Sequence, residues 1–75
     1  MTPDQILNLL RAQPFVPFRL RLNSGAYHDV PHPEFATVSD EVVALSVYDE
    51  QKSMRTIHLV ALINVEEVEH LKASA

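Results

Sequence analysis

Phe18-Arg19-Leu20-Arg21-Leu22-Asn23-Ser24-Gly25-Ala26-Tyr27-His28-Asp29-Val30 is the stretch that decides the architecture. Apolar and charged residues alternate from Phe18 to Leu22, the period of a half-buried strand. Asn23-Ser24-Gly25 forms a turn, and Gly25, the only glycine of the chain, suits the left-handed position of a three-residue hairpin loop. The resulting register sets Leu22 against Ala26, Leu20 against His28 and Phe18 against Val30. It leaves Arg21 facing Tyr27 and Arg19 facing Asp29 on the outer side, the latter a favourable cross-strand charge pair. His28 is therefore expected to point inward.

Upstream, Thr2 is placed to cap a helix, Pro3 suits its first turn, and Gln5 completes a T-x-x-Q capping box. Asp4 sits where the helix dipole favours negative charge. Ile6, Leu7, Leu9 and Leu10 form an apolar stripe at spacings of three and four, and Pro14 stops the helix, which is predicted over residues 3–12. The connector over 13–17 runs into Pro14-Phe15-Val16-Pro17-Phe18, whose prolines forbid regular helix. Two readings fit: a rigid link plugging the core with two aromatic rings, or a proline-rich recognition strip for a partner.

Downstream, Pro31 and Pro33 cannot donate to a strand ladder, so the chain ends or kinks at Pro31-His32-Pro33-Glu34. Phe35 to Val38 reads as a short extended piece, and Ser39-Asp40-Glu41 as a turn. Val42 to Tyr48 is the clearest strand, with Val43, Leu45 and Val47 on one face. Asp49 to Ser53 is a solvated hairpin loop. Met54 to Val60 returns with Ile57 and Leu59 alternating against Thr56 and His58. In the last segment, Leu62, Val65, Val68 and Leu71 recur at helical spacing, while Ile63, Val65 and Val68 also fit a final strand with a bulge at Glu66-Glu67. The β-branched content favours the strand, entered through a tight turn at Ala61-Leu62-Ile63.

The expected fold is mainly β (α+β): an amino-terminal helix followed by a five-stranded, strongly bent antiparallel sheet or barrel over 18–71, the helix capping one open end. Its interior is to be lined by the alternating apolar side chains from Phe18 onward. That order of elements resembles the Sm-like and Src-homology-3-like small barrels, a likeness of topology alone. The 75 residues form one domain, with Met1 and the tail 72–75 expected to fray.

Composition narrows the function classes. The chain has no cysteine, which removes disulfides and thiolate metal sites. Its formal charge is −4, from 6 Lys+Arg against 10 Asp+Glu, which argues against a polyanion-binding surface. The longest apolar run, Leu59 to Ile63, is far short of the roughly 20 residues of a membrane span. Asp4 and Asn8 interrupt any secretory signal. A soluble, cytoplasmic domain is expected.

The T-P-D-Q-I-L-N-L-L helix (2–10), P-F-V-P-F (14–18), a turn ending in Gly25 and V-P-H-P-E-F (30–35) together resemble a family of small uncharacterised bacterial proteins. Its members share a P-F-x-P-F strip, a hairpin turn, a V-x-H-P-E segment and a closing hydrophobic strand like Ile57-His58-Leu59-Val60. Ser24 departs from the acidic residue commoner before the turn glycine. The resemblance spans nearly the whole chain and implies no catalytic residues.

His28, His32 and Glu34 are the candidate metal ligands, two imidazoles and a carboxylate, with His58 a further donor from another strand. The alternative is that His28 packs as a partly buried ring while His32 and Glu34 brace the proline kink through backbone hydrogen bonds. His32 with Asp29 or Glu34 also fits a general acid/base pair. The candidate nucleophiles Ser24, Ser39, Ser46, Ser53 and Ser74 lie mostly in turns or the tail, with no paired base. Arg19, Arg21 and Tyr27 form the one basic-aromatic face, the candidate binding residues for single-stranded RNA, or else a solvated face with an ion pair. Glu66, Glu67 and Glu69, with Asp49 and Glu50, read as a solvated acidic surface or a site for a basic partner.

The expected function is a non-enzymatic binding or scaffolding module, without cofactor. It acts as a homo-oligomer or with a protein partner through two sheet edges, the final strand and the Phe35–Val38 piece. An Sm-like RNA-binding protein and a histidine-centred metal-binding protein are the alternatives. Neither a membrane nor, given the charge, a nucleic acid is the partner expected first.

Overall fold

The computed structural model describes residues 1–71. Helix α1 (Pro3–Arg11) begins on the expected capping box: the Thr2 hydroxyl accepts from the Gln5 backbone N–H at 3.3 Å, and the Gln5 side chain accepts from the Thr2 N–H at 2.9 Å. Only Ile6 of its apolar stripe is fully buried; Leu9 and Leu10 pack against the core from its margin. Met1, expected to fray, also packs there. The tail 72–75 lies outside the described residues.

Strands β1 (Phe18–Leu22) and β2 (Tyr27–Val30) pair in the predicted register, Phe18 opposite Val30, Arg19 opposite Asp29, Leu20 opposite His28 and Arg21 opposite Tyr27. Gly25 adopts φ +93°, the left-handed conformation that favours glycine, and its N–H donates to the Leu22 carbonyl at 2.9 Å. A 3-10 turn (Pro33–Phe35) then leads into β3 (Ala36–Val38), β4 (Val42–Asp49) and β5 (Met54–Ala61). A second 3-10 turn (Leu62–Asn64) precedes β6 (Val65–His70). The last segment is thus a strand, and the register against β1 shifts beside Glu66, because Arg21 faces Glu67 while Leu22 faces Val65.

The five-stranded bent sheet or barrel is not what forms. Among the described residues there are six strands in two three-stranded antiparallel sheets, ordered β2-β1-β6 and β3-β4-β5, and no closed barrel. The reason is local. Pro31 and Pro33 remove two ladder donors in succession, so the chain leaves the first sheet after Val30 and resumes pairing only at Ala36, in the second. The sheets share one core of Phe18, Leu20, Val30 and Val65 from the first and Ala36, Val43, Leu45 and Val60 from the second, with Ile6 and Leu62 at its ends. Phe18 is fully buried and Phe15 packs near it at 6.0 Å between ring centroids, so the Pro-Phe connector does plug the interior with aromatic rings.

One face is reversed. The β4 residues Val43, Leu45 and Val47 point inward, and their partners on β5 are Val60, His58 and Thr56. The apolar half of the β5 alternation, Ile57 and Leu59, therefore faces outward, 68% and 72% exposed. Ile63 lies in the 3-10 turn, within the expected tight turn before the final strand, and is 86% exposed.

Candidate functional site

The outer face of β1 gathers Arg19, Arg21 and Tyr27 as the hairpin register requires. Arg19 donates from Nε to Asp29 Oδ1 at 2.6 Å and from Nη2 to Oδ2 at 3.2 Å, a bidentate pair. Its guanidinium lies 4.1 Å from the Tyr27 ring centroid. Asp29, foremost through that hydrogen bond, raises the Arg19 pKa above its already high value. Arg21 reaches across to β6, 3.1 Å from Glu69 and 3.3 Å from Glu67. Both guanidinium groups thus face carboxylates, and Arg19 occupies one face of the Tyr27 ring, which is still 52% exposed. A phosphate would compete with these carboxylates for the guanidinium groups.

The histidines separate. His28 points inward and is half-buried, as expected, and its ring meets His58 of β5 edge-to-face at 5.4 Å, one imidazole from each sheet. Burial, and then the neighbouring His58, push the His28 pKa below the ordinary imidazole value, while Asp29 partly offsets them. His32 lies within the kink, edge-on against Phe35 at 5.2 Å. Its side chain makes no capping hydrogen bond; the kink is held by the Phe35 N–H donating to the His32 carbonyl at 3.1 Å. Side-chain bracing of the kink by His32 is thus replaced by ring stacking and a backbone bond. Glu34 is exposed. Among the described residues His28, His32 and Glu34 do not come together as a cation site, nor does any other group of three His, Asp or Glu.

Asp29, a candidate partner for His32 in acid/base chemistry, is committed to Arg19. Ser24 Oγ accepts from the Ala26 N–H, Ser39 Oγ donates to the Val42 carbonyl, and Ser46 Oγ accepts from Arg55 Nε at 2.7 Å. These three hydroxyls hold turns and sheet. Ser53 sits in the β4–β5 loop with φ 52°, and Ser74 lies outside the described residues.

The remaining surface feature is apolar. On the outer side of the second sheet Ala44 lies opposite Leu59 and Ser46 opposite Ile57, with Tyr48 one step along and 53% exposed. Same-face neighbours on a strand lie about 7 Å apart, so Ile57 and Leu59 with Ala44 form an apolar strip, and Tyr48 lies across the Arg55 side chain from it. Arg55 limits it on the β3 side: its Nη2 donates to the Ser46 carbonyl at 2.8 Å and its guanidinium lies 4.0 Å from the Phe35 ring centroid. Beyond the end of β5, Met1, Val42, Ala61, Leu62 and Ile63 line an open cleft of about 490 Å³, with Asp40 and Glu41 as its charged lining. The alternation of β5 carried a signal for this strip, since both of its faces hold apolar residues. The partners of Arg21 had no local signal, being 46 and 48 residues away.

No family model, curated protein or solved structure matches the chain. No helix among the described residues is long and apolar enough to cross a membrane.

Proposed function

We propose that this chain is a non-enzymatic protein-interaction module that works through the outer face and edge of its second sheet. The observation that carries the reading is the exposure of Ile57 and Leu59, 68% and 72%, at adjacent same-face positions of β5. Contiguous apolar patches on small domains mark contact surfaces, because leaving them in water forgoes about 25 cal/mol for each Å² that a partner would cover. The neutralised Arg19–Arg21 face favours this reading over RNA binding, and the separation of His28 from His32 and Glu34 favours it over a metal centre. A cytoplasmic setting and membership of the small bacterial family with P-F-x-P-F and V-x-H-P-E segments belong to the same proposal.

The test is site-specific photocrosslinking in the producing cell. A photoreactive residue at Ile57 or Leu59 should give covalent adducts, to the same chain or to another, that one at Asp29 does not. Absence of any adduct from both outer positions, with the protein folded, would remove the basis for an interaction module.

A further inference from the structure

We infer that the partner of the second sheet is a second copy of this chain, joined by antiparallel pairing of β5 with its own counterpart about a two-fold axis. The inference rests on the interaction-module reading and names its occupant. Among the described residues the four sheet edges are β2, β6, β3 and β5. An open edge presents unpaired N–H and C=O groups, and proteins guard such edges with prolines, bulges, charges or brevity.

Three edges are guarded. β2 is four residues long, carries Asp29 and runs into Pro31. β3 is three residues long, follows Pro33 and Glu34, and has α1 packed beside it. β6 is irregular beside Glu66 and carries Glu66, Glu67 and Glu69. β5 differs in each respect: eight residues, an unbroken register against β4 from Met54 to Ala61, no proline and no carboxylate. Its one fixed charge, Arg55, is turned away toward Ser46 and Phe35. The two edges that the sequence singled out, β6 and β3, are thus the guarded ones.

The self-complementarity of β5, not charge, points to the second copy. Two chains of net charge −4 repel, and they approach at least cost along an edge free of carboxylates. Residues 56–61 of β5 carry no fixed charge. Antiparallel pairing about a two-fold keeps outward residues beside outward residues, so a pairing centred on His58 sets Ile57 next to Leu59 of the second copy and merges two small strips into one. The second sheet then continues as six strands across the axis.

Sedimentation equilibrium of the full chain up to millimolar concentration tests this, together with cysteine crosslinking, since the chain has no native cysteine. Expected are a concentration-dependent mass of two chains and a rapid crosslink for Leu59→Cys but not Glu67→Cys. A return to one chain is expected in the Ile57→Lys, Leu59→Lys double variant, with its thermal midpoint matching the parent at concentrations where the parent is single, but not in Val16→Lys. A mass of one chain throughout overturns the inference, as does a dimer that crosslinks through Glu67→Cys rather than Leu59→Cys. If the photocrosslinks from Ile57 or Leu59 then carry a different protein, the interaction-module reading survives while the second copy does not; if no adduct forms, both fall.

Discussion

Gly25 and His28 show how single residues answer to backbone and to solvent. At Gly25 a new Cβ would meet nothing within 4 Å, so a Gly25→Ala change is opposed only by the φ of +93°. Placing an L-residue there costs about 1–2 kcal/mol. Urea unfolding should show a loss of that size with an unchanged m-value, and an undiminished stability would mean the turn relaxes to another form. His28 titrates in the opposite sense to a salt-bridged histidine. Burial first and His58 second hold its folded pKa below the ordinary value, so protonation costs more in the folded chain than in the unfolded one. Stability is then complete above about pH 6.5 and falls as pH drops from there toward the lower folded value. The thermal midpoint should decline as pH falls below about 6.5, and His28→Phe should flatten that decline. Persistence of the same slope in the variant would assign it to other groups.

At the scale of elements, the two faces of a strand are separable by mutation. Leu20 on β1 is fully buried, and Leu20→Ala should cost about 2–5 kcal/mol. Leu59 on β5 is 72% exposed, and Leu59→Ala should stay within about 0.5 kcal/mol at concentrations where the chain is single. Equal losses in chemical denaturation would mean that β5 is turned the other way. What could be read in advance divides along the same line. The β1–β2 register was legible because a three-residue turn with the sole glycine joins it, so local geometry leaves one pairing. The capping box of α1 was legible for the same reason. The inward face of β5 was not, since its orientation depends on which residues β4 sets opposite, Val60 to Val43 and His58 to Leu45. At the candidate site the Arg19–Asp29 pair came with the hairpin. The Arg21 contacts and the His28–His58 contact came only with tertiary structure, because each joins strands far apart in the chain.

For the molecule as a whole, the decisive feature is that two sheets without a common strand share one core. Phe18 and Leu20 from the first sheet meet Val43 and Leu45 from the second, and Ile6 of α1 is buried with them. Neither sheet has an inner face of its own to spare, and a three-stranded sheet stripped of its apolar cover has little independent stability. The chain should therefore unfold as one unit. Its two tyrosines allow a direct test, since Tyr27 lies on β2 and Tyr48 on β4, one in each sheet, and there is no tryptophan. Tyr27→Phe leaves a fluorescence reporter for the second sheet, and Tyr48→Phe leaves one for the first. Within each variant, tyrosine emission and far-ultraviolet dichroism should give one midpoint in urea. Adding Ile6→Ala to either should lower stability by about 2–5 kcal/mol and shift both signals together, because a residue on the helix supports both sheets through the same contacts. Separate transitions for emission and dichroism, or an Ile6→Ala effect on only one reporter, would show that the sheets hold themselves independently and that the shared interior contributes less than its packing implies.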